Sequence, residues 1–207
     1  MAAKNTRHPA LMLIPLGVSL IAIAVFFMIQ PPGSSWPIRA TAILGYTAIV
    51  SAVISTAFVR QLVKAFGRPF IKVHHAYSIG GLVWIALHPL AVVASRGSAK
   101  FLLPRFDSLS SFLMWGGAPA LYLLAIAAGA AVLRKRVGNL WRPIHALNYV
   151  ALALGTLHAM RLGSDFISII MRAIAILVIV ALIATGVWRR VLAARRAKKR
   201  RQRTTNR

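Results

Sequence analysis

Six apolar runs, each about 20 residues long, dominate the chain and leave no room between them for a compact soluble domain. They cover roughly 11–29, 39–60, 71–94, 110–133, 143–162 and 167–188. A helix needs about 20 apolar residues to cross ~30 Å of hydrocarbon, so each run is long enough to span a bilayer. The connections carry helix breakers: Pro31-Pro32-Gly33, Gly67-Arg68-Pro69, Arg96-Gly97, Gly138 and Gly163. The predicted fold is all-α, an integral membrane bundle of six transmembrane helices over residues 11–188. Residues 1–10 form a short N-terminus and residues 189–207 a basic tail. The first run follows Lys4 and Arg7, as a secretory signal would. It is long for such a signal and leads into Gln30-Pro31-Pro32 rather than a small-residue cleavage site, so a retained span is expected.

Composition agrees with burial in lipid: 58% of residues are hydrophobic and the mean hydropathy is +0.71. Asp107 and Asp165 are the only acids, against 26 Lys and Arg, and cysteine is absent. Disulfides, zinc-thiolate sites and iron–sulfur clusters are thereby excluded. A net charge of +24 invites a nucleic-acid reading, but the charges cluster at the ends of apolar runs, which is the pattern of membrane topology. Residues 1–10, the second and fourth connections and the tail from Arg189 hold 20 basic residues; the alternate connections hold five, Arg39, Arg96, Lys100, Arg105 and Arg161. Both termini are therefore expected in the cytoplasm. The tail WRRVLAARRAKKRRQR reads as a solvated anchor near anionic lipid, with a docking arm for a partner as the other reading.

Five of the six histidines fall in two of the runs. KVHHAYSIGGLVWIALHPL carries His74, His75 and His88; RPIHALNYVALALGTLHAM carries His145 and His158. Histidine is costly inside lipid, and four at paired depths suggest cofactor ligation. Under the predicted topology His74 and His145 share the cytoplasmic level and His88 and His158 the outer one. At 1.5 Å per residue the levels lie roughly 20 Å apart, room for two b-type haems, each held by one histidine from each helix. On an ideal helix His88 returns to within about 40° of His74, whereas His158 falls about 140° from His145. A bend must absorb the second offset, or the haems must be approached from different sides; Pro89 and Pro143 are candidates to tilt the segment ends. His75 points about 100° from His74 and is either a hydrogen-bonded bystander or the rival inner ligand. Interhelical hydrogen bonds or a proton path are the alternatives to ligation. A metal transporter should add acidic or thiol ligands near the midplane, and this chain has none there.

Gly80, Gly81 and Gly155 lie between the two levels, suited either to close haem approach or to ordinary small-residue packing. Arg68, Lys72 and Arg142 could pair haem propionates on the inner side, and Arg96, Arg161 and Arg172 on the outer. Snorkelling and topology account equally for most of these, but Arg172 sits within FISIIMRAIAIL and stands out as a propionate or substrate contact. Trp36, Trp141 and Trp188 are expected as interfacial anchors, and Trp84 and Trp115 as core or electron-path residues. His8 is terminal and idle.

The stretch HHAYSIGGLVWIALH, followed after one intervening span by GNLWRPIHALNYVALALGTLH, resembles the ferric reductase-like transmembrane domain. That family includes NADPH oxidases, yeast-type ferric reductases and the bacterial MsrQ (YedZ) haem subunit. The resemblance covers spans two to six, and the pattern Gly138, Trp141, His145, Leu147 and Tyr149 is most similar to the MsrQ branch. Ala146-Leu147 stands where that branch commonly has Arg-Leu, and His74 where it often has no histidine, which favours two haems. The resemblance implies His74, His88, His145 and His158 as haem-iron ligands, a bacterial inner-membrane location and the role of haem-binding subunit of an oxidoreductase. The chain carries no Gly-rich dinucleotide fingerprint and no flavin domain is expected in it. Electrons should then come from a separate flavoprotein or quinol, with FMN or quinone as possible further cofactors, and leave to a redox protein on the other side. A ferric reductase acting on external Fe(III) is the nearest alternative. A non-redox transporter or membrane scaffold with a basic docking tail is the alternative of another class.

Overall fold

The computed structural model describes residues 20–21, 23–24, 26–28, 35–66 and 70–205. Most of the first predicted span, the N-terminal residues with His8, and the 31–34 and 67–69 breakers lie outside the described residues. The described residues contain helices and turns but no strand. In order they form α1 (Trp36–Ser55), a 3-10 turn (Thr56–Phe58), α2 (Val59–Phe66), α3 (Phe70–Arg96) and a 3-10 turn (Ala99–Leu102). Then come α4 (Leu109–Met114), α5 (Gly117–Val132), α6 (Arg134–Val137), a 3-10 turn (Gly138–Leu140) and α7 (Trp141–His145). The last elements are α8 (Leu147–Leu162), a 3-10 turn (Ser164–Ile167) and α9 (Ile169–Thr205).

Among the described residues three helices are long and apolar enough to cross a membrane, within Trp36–Phe58, Lys72–Arg96 and Ile169–Arg195. A fourth candidate arises if Gly117–Val132 and Arg134–His145, bent by 83°, form one broken span. The chain thus has the apolar helices of a membrane protein. Two of the six expected runs are interrupted. The run 110–133 breaks at Trp115-Gly116, and the run 143–162 breaks at Ala146, leaving α8 with 16 residues. At 1.5 Å per residue α8 alone reaches about 24 Å, short of a full hydrocarbon crossing.

Local chemistry accounts for the element ends. Pro37 occupies the first turn of α1, where its missing N–H costs nothing. Gly97 (φ 65°) closes α3 and Gly138 (φ 63°) closes α6 in the left-handed region that glycine enters freely. Pro89 lies inside α3 without ending it. Thr41 and Thr47 donate their hydroxyls back to Pro37 O and Ile43 O, both at 2.7 Å, so an apolar helix carries them satisfied.

The helices associate as two antiparallel hairpins, α1 with α3 and α5 with α8, joined by α9. The core is assembled from Ile49, Val50 and Val53 of α1, Leu124 of α5, Ala151 and Leu152 of α8, and Val178 and Leu182 of α9. Helix α3 leans on α1 and hardly touches α8: only 6% of its apolar window is buried within the chain. Its close approach to α1 runs through glycine. A Cβ on Gly45 would meet Ile85 N and Cγ1 at 2.7 Å, and one on Gly81 would meet Ile49 Cγ1 at 2.6 Å. Gly81 is thus a packing glycine, whereas Gly80 has nothing within 4 Å. Gly45→Val should push the hairpin apart and cost about 1–3 kcal/mol by overpacking. Gly80→Ala should be neutral. Thermal unfolding in detergent compares them, and equal melting temperatures would contradict the packing described.

Candidate functional site

All four histidines at the predicted levels are held in one way. His74 Nδ1 donates to Ala52 O at 3.1 Å and His88 Nδ1 to Ile38 O at 3.0 Å, both carbonyls of α1. His145 Nδ1 donates to Ala127 O of α5 at 3.0 Å, and His158 Nδ1 to Met114 O of α4 at 2.7 Å. A carbonyl oxygen only accepts, so the ring proton in each neutral imidazole sits on Nδ1. That assignment leaves Nε2 with its lone pair. Metal-ligating histidines characteristically use the second ring nitrogen in this way, which fixes the tautomer and the ring orientation.

The bonds follow from helix register. Ile38 to Ala52 is fourteen steps along α1, and His74 to His88 is fourteen steps along the antiparallel α3, with Gly45 and Gly81 at the two midpoints. In the second hairpin Met114 to Ala127 and His145 to His158 are both thirteen steps. The close glycine contact draws α1 near enough for both rings of α3 to reach its backbone. In the second hairpin each bond spans an interruption. His145 is the last residue of α7, before the break at Ala146, and Met114 is the last residue of α4, before Trp115-Gly116. At that break Ala118 N–H turns to Trp115 O, and His158 caps the Met114 carbonyl. The helix carrying His145 ends one residue before Ala146, three residues beyond Pro143, so His145 and His158 do not lie on one continuous helix. Nothing of the kind occurs at Pro89.

His74 lies within electrostatic reach of His145, and His88 of His158. No hydrogen bond engages Nε2 of His74, His88 or His158 among the described residues, while the Asn148 amide nitrogen stands 3.4 Å from Nε2 of His145. Among the described residues no buried side-chain nitrogen or oxygen lacks a partner, and the His158 ring, Nε2 included, lies against Gly117. His75 is exposed and touches His74 ring to ring, with centroids 6.0 Å apart, but has no carbonyl bond of this type. Among the described residues no group of three or more His, Asp or Glu gathers to hold a bare metal ion. The donors on offer are four imidazoles, two on each hairpin, each with Nδ1 committed to a carbonyl, a donor type that suits haem iron.

The other expected residues divide. Lys72, Arg96 and Arg161 are exposed, and Arg68 lies outside the described residues. Arg142 stacks over Trp141 at 5.5 Å, and Trp141 lies 6.1 Å from the His145 ring. Arg172 donates Nε to Phe166 O at 2.6 Å, tying down the turn before α9. Trp115 packs on Phe101 and lies under Arg105 rather than between the pairs. Trp84 is 40% exposed, and Trp36 and Trp188 are exposed too. Gly155 meets only Ala120 Cβ, at 4.0 Å.

Four features went unread in the sequence. Gly117 lies against the His158 ring, where a Cβ would come within 2.8 Å of Nε2; the Gly116-Gly117 dipeptide was the available signal. Arg189 is within electrostatic reach of His74. Tyr46 of α1 and Thr156 of α8 share a 2.5 Å hydroxyl hydrogen bond that ties the hairpins together. Arg39, expected as a solvated topology charge, is buried and paired with buried Asp165, with Nε at 3.0 and 3.2 Å from its two oxygens. Arg39 also donates to Phe26 O and lies 4.5 Å over the Phe26 ring. Removing one member of such a buried pair costs about 3–5 kcal/mol. The other acid, Asp107, is exposed; its hydrogen bond with Ser111, then one with its own backbone, holds its carboxyl below the usual range.

Gly117→Ala should displace the His158 ring and break its bond to Met114 O. Nitrogen NMR on histidine-labelled protein should then lose the Nδ1-protonated signature at His158 alone; an unchanged His158 signal would contradict the contact. No family model, no curated protein and no solved structure matches this chain.

Proposed function

We propose that the chain is a membrane b-type cytochrome that passes electrons across the bacterial inner membrane, with two haems, one held by His74 and His145 and the other by His88 and His158. The observation that carries this reading is the set of four Nδ1–carbonyl bonds in matched register on the two hairpins. Histidines kept only for helix packing would leave the Nε2 lone pairs of His74, His88 and His158 without hydrogen-bond partners in an apolar layer, at a cost ligation would remove. The poor contact between α3 and α8 supports a slot between the hairpins. The ferric reductase-like resemblance points to the same four residues.

In this reading the protein does three things. The carbonyls of Ala52, Ile38, Ala127 and Met114 hold each imidazole in one tautomer and raise its basicity at Nε2. The apolar helix faces exclude water from the two levels. Arg189, within electrostatic reach of His74, is a candidate to pair a carboxylate at that level. Haem, when bound, supplies one-electron redox chemistry, and two axial histidines favour electron transfer over oxygen binding.

The full topology is part of the proposal: six spans, the first within residues 11–29 and two of them broken, with both termini in the cytoplasm. The donor is a separate flavoprotein or quinol, and the acceptor lies on the outer face. Ligand replacement tests the assignment. His88→Ala and His158→Ala should each lose the same haem, and His74→Ala and His145→Ala the other, while His75→Ala keeps both. Haem quantitation with redox titration of each variant reads this out. Loss of a haem in His75→Ala with retention in His74→Ala would overturn the pairing.

A further inference from the structure

The two histidine pairs are not fastened alike. Ile38 O accepts from His88 Nδ1 at 3.0 Å and from Thr41 Oγ1 at 3.1 Å, and it lies in the first turn of α1. The next residue is Arg39, whose buried guanidinium grips Asp165 and Phe26 O. Asp165 stands in the 3-10 turn that directly follows α8, the helix of His158. One ion pair therefore ties the turn that carries the His88 acceptor to the turn that ends the His158 helix. Among the described residues it is the one salt bridge, and the His74/His145 level has no counterpart.

We propose that Arg39 and Asp165 are positioning residues for the His88/His158 pair. The ion pair sets where the first turn of α1 lies against α3, and so keeps Ile38 O on His88 Nδ1. It acts through Ile38 and the 164–167 turn and touches neither imidazole. A buried ion pair in an apolar surrounding has few alternative geometries, because each oxygen and N–H must find its partner or lose it to no replacement. That property suits a device that must hold two helix ends in one relative position. The haem readout below rests on the proposed function; the distance readout does not.

The chain has no cysteine, so spin labels can be placed cleanly. Trp36→Cys and Leu90→Cys put labels at 70% and 57% exposed positions on α1 and α3, at the His88 end. In otherwise wild-type protein the label distance should be narrowly distributed. Asp165→Asn should broaden or shift that distribution; Asp165→Glu, which keeps the carboxylate, should largely restore it. In haem-loaded protein Asp165→Asn should also make one haem, the one lost in His88→Ala, bind carbon monoxide several-fold more than wild type, leaving the other inert. Should Asp165→Asn fail to accumulate, Arg39→Lys keeps the charge without the fork and should broaden the distance likewise. Wild-type distance distributions in Asp165→Asn or, in its place, Arg39→Lys would overturn the proposal. So would equal disturbance of both haems. If the wild-type chain takes up no haem, the haem reading fails, and the label distances alone decide the positioning role.

Discussion

A histidine inside an apolar helix must place two nitrogens, and the arrangement of this chain depends on how the first is placed. Each of these four imidazoles gives its Nδ1 proton to a backbone carbonyl of a neighbouring helix. The geometry is demanding because both rings of a hairpin must reach carbonyls of the segment of chain that runs against them. It is met by equal spacing: fourteen steps against fourteen in the first hairpin, thirteen against thirteen in the second. Once the first nitrogen is committed, the second is left as a lone pair. A bis-histidine haem reading follows from that chemistry and not from the histidine count alone.

The hairpins reach the same bonding pattern by different means. In the first, Gly45 and Gly81 let two continuous helices approach closely, and α3 stays unbroken through Pro89. In the second, interruptions at Ala146 and at Trp115-Gly116 re-aim the chain. Breaking a helix in an apolar layer frees backbone groups that need partners. Here His158 takes one of them, the Met114 carbonyl, so the interruption and the site stabilise each other. Arg39 and Asp165 then brace one end, and Tyr46 with Thr156 ties the hairpins across the core.

Much of this was legible in the residues. Apolar run length and the scarcity of acids pointed to the all-helical, membrane-type chain, and the histidine spacing singled out the four residues whose Nδ1 atoms bond to backbone carbonyls. The helix breaks were not legible. Ala146 is neither glycine nor proline, and hydropathy does not register a break that keeps the run apolar. Among the described residues three helices are long and apolar enough to cross a membrane, or four if the bent pair is one span, against the six runs expected, the first of which lies mostly outside the described residues. Gly80 and Gly81 look alike in sequence, yet only Gly81 falls on the face that meets α1. Arg39 looked like a topology charge because its partner lies 126 residues away, although a lone Asp165 beside a span of so basic a chain was a signal for a buried pair.

The most direct test of the account is the haem content of the purified full-length chain, by pyridine haemochrome against protein mass, with a visible spectrum of the reduced form. The account predicts two b-type haems per chain, both low-spin and both inert to carbon monoxide. One haem, none, or a high-spin spectrum that changes with carbon monoxide would contradict it.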